Sequence, residues 1–464
     1  MRGATTPTVT VPGADRPRLA TVRRARGRRP VAAGAHTRRR WASGRWPGAA
    51  ALILLLNFSC VPTDRHQHGL GAEPGPLWVM GYWAGWQRPL YPKEVVDFDA
   101  VTHLVLTVAH VEPDGRLTSV VSDPGGGAAY GDGSPDAADA VRDLAARVHA
   151  AGRRLLFMVG GADMGAQFGS ACAPANIETF VTSILAEVDA IPADGVDLSW
   201  VGLGDTPEDL SRLLDLVTRL KTARPDLVLT LGLPWAAPDG IAMVVPHIDR
   251  FNLKTFAMFG TWPGWVSWHF AALHPGTGPG LPSVEGLIEQ AVGTGIPREK
   301  LGFAIGFFGM TFQGPDPPYA EVTGPGMEVV DSGGSPLPGF DCESADGYFS
   351  YASIKRYYLD PNPSSYVWYE DVQMGGLSFP SPGFTPEGFI PEGNPTWGPG
   401  GADEWRKRAT WVSFEDPRSI AAKGAWAKAQ GLGSCLLWTL NEGCVDPATG
   451  DNPPLAAVKQ AFLP

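Results

Sequence analysis

The chain alternates short apolar runs with stretches in which apolar residues recur at helical spacing. Each apolar run is short enough for a buried strand, and each longer stretch has the single apolar face of a helix. This alternation is typical of a parallel sheet in which every strand is followed by a helix. The predicted strands are 79–84, 101–109, 154–160, 195–201, 227–231, 250–257, 301–307 and 434–440, and the predicted helices are 136–151, 177–190, 207–222, 284–292 and 419–430.

Eight such strands predict a (β/α)8 TIM barrel over residues 77–464, with its functional face at the carboxyl ends of the strands. The connection between the seventh and eighth strands is unusually long and is rich in Gly, Pro and aromatic residues. We therefore expect an insertion over 311–405, with structured parts at 348–358 and 365–370 and an extended loop at 379–401.

Charge is distributed unevenly along the chain. Residues 1–48 contain 12 Arg and one Asp, so the remainder has 25 basic and 47 acidic side chains, a net charge of about −22. This acidic surplus makes nucleic acid an unlikely partner class for the main part of the chain. The 58 Gly and 44 Pro residues indicate many ordered turns and loops.

The basic head predicts an export signal over 1–60, followed by a linker over 61–76. Arg residues continue to Arg45, an apolar run covers 49–56, and Cys60 follows a small residue. The run is too short to span a membrane as a helix. Cys60 resembles a bacterial lipoprotein acylation site, and simple cleavage is the alternative. We expect an exported protein that contacts a membrane only through a possible lipid anchor.

Four further cysteines permit two disulfides in an exported chain: Cys172, Cys342, Cys435 and Cys444. Cys435 and Cys444 are the preferred pair, because nine positions separate them across a strand end and its loop. A free buried thiol is the alternative for Cys172. The sequence has no metal-ligand spacing and indicates no cofactor.

The segment 194–201, Asp-Gly-Val-Asp-Leu-Ser-Trp-Val, contains the most specific chemical signal. Alternate strand residues share a face, so Asp197, Ser199 and Val201 are predicted to point into one pocket, whereas Asp194 is out of phase and structural. The segment resembles the D-G-x-D-x-D-x-E motif of glycoside hydrolase family 18, the chitinase family. That resemblance gives the general acid position to Val201 and the substrate-orienting Asp position to Ser199.

The sixth predicted strand departs from the same family in a similar way. Residues 251–257 resemble the family's M-x-Y-D-like cluster, which binds and polarises the acetamido group, but Lys254, Phe256 and Ala257 occupy its Met, Tyr and Asp positions. Four of the family's functional groups are therefore replaced together, namely the acid, the orienting Asp, the Tyr hydroxyl and the sixth-strand Asp, whereas Asp194 and Asp197 remain. Lys254 is expected to form an ion pair with Asp197 inside the barrel.

The resemblance extends over the whole predicted barrel, from the opening Gly-Tyr-Trp at 81–83 and the Val-Gly-Gly at 159–161 to the last helix approach at 411–420. Tryptophans at or after strand ends are candidates for stacking on sugar rings. Trp262, Trp265 and Trp268 lie close together in one predicted loop, and Trp438 matches the family's eighth-strand Trp. The ligand-binding candidates are Trp83, Trp235, Trp262 and Trp438.

These observations predict a chitinase-like barrel that binds a chitin-like or other glycan without cleaving it. General acid catalysis contributes roughly 100- to 10,000-fold, and valine donates no proton. Two alternatives stay open. One is an active glycosidase with a displaced acid such as Asp205 or Glu442, and the other is a non-enzymatic interaction scaffold.

Overall fold

The computed structural model describes residues 77–118, 137–162, 164–258, 266–276, 281–313, 324–327, 331–333, 348–378 and 411–464. The predicted export signal and linker lie outside these residues, as do Cys60, Cys342, Trp262 and Trp265. Within the described ranges, no helix is both long enough and apolar enough to cross a membrane.

Eight parallel strands close into a barrel, which confirms the predicted (β/α)8 architecture. Their order around the barrel is β1, β15, β8, β7, β6, β5, β4 and β2, and β2 pairs with β1 to complete the ring. The barrel strands are β1 (Trp78–Ala84), β2 (His103–Val111), β4 (Arg154–Gly161), β5 (Gly195–Trp200), β6 (Val228–Leu233), β7 (Arg250–Leu253), β8 (Leu301–Gly306) and β15 (Ser434–Trp438). The short β3 (Leu117–Thr118) pairs antiparallel with the end of β2.

Side chains alternate between the two faces of each barrel strand, and this alternation gives two separate hydrophobic cores. Inward side chains such as Met80, Tyr82 and Met158 fill the barrel interior. Outward side chains such as Trp83 and Leu198 pack in a larger core that also contains the apolar faces of the helices. A two-residue period therefore determines which strand residues can reach the pocket.

Helices follow the strands as the apolar pattern predicts. The Asp416 side chain accepts from Ser419 N in a capping box, which begins the helix after residue 416. Short helices over 165–171 and 440–443 and the terminal helix over 453–462 were not predicted. The helices are α1 (Ala137–Ala150), α2 (Gly165–Ala171), α3 (Ile177–Ala190), α4 (Asp209–Ala223), α5 (Val284–Gly293), α6 (Tyr351–Ile354), α7 (Pro417–Ala429), α8 (Leu440–Gly443) and α9 (Pro453–Phe462).

A second, antiparallel sheet occupies the long connection between β8 and β15. Its order is β10, β9, β14, β13 and β12, and β11 also pairs with β9. It begins at Phe308, three residues before the predicted start of the insertion, and the proposed loop at 379–401 lies outside the described residues. The strands are β9 (Phe308–Gln313), β10 (Asp331–Gly333), β11 (Tyr348–Ser350), β12 (Tyr366–Tyr369), β13 (Met374–Ser378) and β14 (Trp411–Phe414).

Candidate functional site

A cavity of about 550 Å³ opens at the carboxyl ends of β5, β6 and β7. This is the end of the barrel at which the sequence places the site. Most of its lining is apolar, and the lining residues share a position at or just after a strand end: Trp200, Val201, Gly202, Gly232, Pro234, Trp235, Ala236, Lys254, Phe256 and Ala257.

The side chains of β5 alternate as predicted, with Asp197 and Ser199 on the face that points into the barrel. Asp197 and Ser199 are buried, each with 1% of its surface exposed, while Trp200 packs outward against Phe168 with ring centroids 5.0 Å apart. Val201 follows the last strand residue and leaves 43% of its surface exposed at the cavity wall. The position that the motif gives to a proton donor therefore presents an isopropyl group.

Asp197 sits below the cavity floor, inside the barrel. The Thr230 hydroxyl donates to its Oδ1 over 2.5 Å. Burial raises the pKa of this carboxyl, and the Thr230 hydrogen bond and the positive charge of Lys254 act in the opposite direction. The Tyr82 hydroxyl lies close to Asp197. Burial and the negative charge of that carboxylate both raise the Tyr82 pKa. Its oxygen makes no hydrogen bond of normal geometry.

Lys254 enters the cavity from the end of β7 but makes no ion pair with Asp197, so that expectation was wrong. Its Nζ instead donates to Ser199 Oγ over 3.0 Å. Burial lowers the pKa of the Lys254 ammonium, and the Asp197 charge opposes that shift. The serine hydroxyl lies within reach of the amine, whereas Asp197 is already held by Thr230.

The sixth strand ends earlier than predicted, at Leu253 instead of residue 257. Ala257 has a φ of 51°, a left-handed conformation that does not continue a strand. Phe256 packs against Phe308, the first residue of the second sheet, with ring centroids 5.3 Å apart. Phe256 and Ala257 thus form an apolar wall where the motif has a phenol and a carboxylate.

The sequence model described as "Glycosyl hydrolases family 18" matches residues 78–443, which is most of the chain. The chain belongs to glycosyl hydrolase family 18. A relative named putative chitinase 1, from Margaritifera margaritifera, is 26% identical over 309 residues, covering 62% of this chain and 56% of its own length. The chain thus spans little more than half of that relative.

Two solved structures show the same fold. The group IV chitinase of Ostrinia furnacalis is 21% identical with a TM-score of 0.66, covering 84% of this chain and 100% of its own. Human YKL-39, a pseudo-chitinase with retained chitooligosaccharide binding properties, is 18% identical with a TM-score of 0.64, covering 83% and 99% of the two chains. At these identities the likeness to both structures concerns the fold.

The predicted tryptophans occupy different places in this family 18 barrel. Trp235 is half-buried and lines the cavity, and Trp438 is half-buried at the end of β15, 5.6 Å from the Tyr82 ring. Trp83 was wrongly predicted to bind ligand. It has no exposed surface and donates from Nε1 to Tyr91 O, because its phase on β1 points it outward. Trp268 is likewise buried and donates to Pro282 O.

The three other carboxylates considered in the sequence of this family 18 barrel have distinct surroundings. Asp194 precedes β5 and accepts from Leu155 N over 2.8 Å, at the barrel end opposite the cavity. Glu442 is buried and accepts from Gln87 Nε2 over 3.1 Å. Asp205 is exposed, and its Oδ2 lies 2.6 Å from where a methyl group on Gly202 would be. Asp205 therefore lies beside a residue of the cavity rim.

The predicted disulfide between Cys435 and Cys444 does not form, since both are free buried thiols, as is Cys172. Cys435 is the second residue of β15, so three further strand residues, roughly 10 Å of extended chain, precede the strand's end. Cys444 follows the helical turn beyond that end, whereas a disulfide requires Cα atoms within about 7 Å. Burial raises the pKa of the Cys444 thiol to about 11.

Among the residues that the structure describes, no side-chain cluster suits a metal ion.

Sequence reasoning missed Thr230, which holds Asp197. The sequence offered only a weak signal, since Thr230 is the one polar residue in the apolar run of β6. Thr230 and Gly232 are two residues apart, so both lie on the inward face of the strand. The contact itself follows from the strand register, because Asp197 and Thr230 are register partners on the neighbouring strands β5 and β6.

Proposed function

We propose that this family 18 barrel binds chitooligosaccharides, or related glycans containing N-acetylglucosamine, in the cavity at the ends of β5 to β7 without hydrolysing them. The observation that carries the proposal is Val201, which occupies the acid position of the motif and exposes its side chain to the cavity. Among the described lining residues there is no carboxylate to replace that acid.

Binding is supported by the shape and chemistry of the cavity. Trp235 offers an indole face next to an apolar wall, an arrangement that stacks on the apolar face of a pyranose ring. A barrel of the same fold, human YKL-39, retains chitooligosaccharide binding as a pseudo-chitinase. In this chain, the open cavity and the valine at the motif's acid position support a corresponding proposal.

Tryptophan fluorescence during titration with chitotetraose tests the binding site. We expect saturable binding by the wild type and roughly tenfold weaker binding by W235A, corresponding to a loss of ~1.4 kcal/mol. The matched control is W368A, because Trp368 is also half-buried but lies on β12, where its Nε1 donates to Glu370. Equal affinity of W235A and W368A would contradict the placement of the glycan in this cavity.

A further inference from the structure

Lys254 brings a single amine into an otherwise apolar cavity. Its Nζ makes one hydrogen bond in the described structure, to Ser199 Oγ, and the rest of the side chain passes Gly232. A methyl group at Gly232 would lie 3.5 Å from Lys254 Cε, so the two residues are neighbours in the cavity wall. Because Lys254 lines the cavity, a small molecule that enters can approach its side chain.

The surroundings of Lys254 shift its amine towards the uncharged form. Burial lowers the pKa of Lys254, and burial raises the pKa of Asp197, so both groups shift towards their uncharged forms. An unprotonated lysine in an apolar pocket is a nucleophile towards carbonyl carbon. Ser199, 3.0 Å from Nζ, has a hydroxyl that can pass a proton to or from the reacting atoms.

Two other lysines whose pKa is lowered by burial show what sets Lys254 apart. Lys300 also has a pKa lowered by burial, but its Nζ donates to Val245 O and Ile248 O, both over 2.7 Å. Lys423 has no exposed surface and is paired with Glu415. Among these three, only the Lys254 amine lines the cavity.

We propose that Lys254 forms a Schiff base with aldehydes that enter the cavity, including the open-chain form of reducing sugars. The nitrogen lone pair forms a bond to the carbonyl carbon, and the carbonyl oxygen takes up a proton to give a carbinolamine. The hydroxyl then leaves as water while nitrogen loses its remaining proton, so amine and aldehyde give imine and water with no change in oxidation state. The sugar as ligand rests on the proposed function, whereas the amine chemistry does not.

Reductive trapping tests the inference on the full chain. The protein is incubated with glycolaldehyde and cyanoborohydride at neutral pH, and the modified lysine is located by peptide mass spectrometry. We expect one principal adduct, on Lys254, that is lost in K254R and retained in the matched variant K300R. Adducts spread over other lysines such as the exposed Lys428, with none preferred at Lys254, would overturn the proposal.

Competition separates this inference from the proposed function. If chitotetraose occupies the same cavity, it should suppress the glycolaldehyde adduct on Lys254, which its mass distinguishes from any adduct of the sugar itself. An adduct that forms without any chitotetraose binding in the fluorescence titration would support the amine chemistry and contradict the proposed glycan. Chitotetraose binding without an adduct in the wild type would overturn the amine chemistry alone, and because it needs no variant, this comparison does not depend on the folding of K254R.

Discussion

At the scale of single residues, three side chains determine the chemistry of the cavity. Val201 and Ser199 stand at the positions that the motif resemblance gives to the acid and the orienting Asp, and the Lys254 amine donates a hydrogen bond to the Ser199 hydroxyl. The barrel frame around them is retained, with Asp197 still held inside by Thr230. The proposed binding without cleavage therefore rests on side chains in a barrel that keeps the family's fold.

A buried histidine, His103, is expected to make the free energy of unfolding depend on pH. His103 stacks on Trp78 with ring centroids 4.1 Å apart, and burial, with the charges of Arg154 and Arg250, lowers its pKa to about 3. The folded state holds this ring neutral, whereas the unfolded state binds a proton below about pH 6.5. His103 therefore lowers the free energy of unfolding as the pH falls, by about 1.4 kcal/mol between pH 7.5 and 5.5.

Urea unfolding at the two pH values measures this difference. H103F should lose about 1.4 kcal/mol less than the wild type over the same interval, whatever its stability at pH 7.5. The control H247F replaces a partly exposed ring and should keep the wild-type pH dependence. Parallel curves for H103F and the wild type would show that His103 is not held neutral.

At the scale of elements, the apolar pattern predicted which segments become strands and helices but not all of their ends. Helix α3 has the predicted bounds, because its apolar face continues over its full length. Strand β7 stops at Leu253, and the following segment includes Ala257 in a left-handed conformation, for which an alanine gives no sequence signal. The contact of Lys254 with Ser199 could not be predicted from the sequence either, because it depends on the distance between two strand ends.

A buried ion pair joins the second sheet to the barrel's last crossover helix. Glu415 follows β14 and Lys423 lies on α7, and neither side chain has any exposed surface. Ser419 Oγ also donates to Glu415 over 2.6 Å. Because an unpaired buried carboxylate is costly, we expect K423M to lower the free energy of unfolding by about 3–5 kcal/mol.

Chemical denaturation of a small set of variants checks this. K428M on the exposed side of the same helix should change stability by less than about 0.5 kcal/mol. The double variant E415Q/K423M should recover most of the loss, because it leaves no unpaired charge. If K423M costs no more than K428M, the pair does not stabilise the fold.

At the scale of the whole molecule, the second sheet packs against residues at the cavity end of the barrel. Phe308 follows β8 after one residue and packs on both Phe256 and Phe270, with 4.7 Å between the Phe308 and Phe270 ring centroids. The sequence could predict the barrel, the insertion and the motif positions, since each leaves a pattern in the chain. The identity of the residues that line the cavity depends on this tertiary packing.

Product analysis after prolonged incubation with chitohexaose tests the central claim most directly. The full chain is held with saturating oligosaccharide, and chain lengths are measured by mass spectrometry. The account predicts that chitohexaose remains intact, because Val201 cannot protonate the leaving oxygen. Shorter oligosaccharides that disappear in D205N would contradict it and identify the exposed Asp205 as the displaced acid.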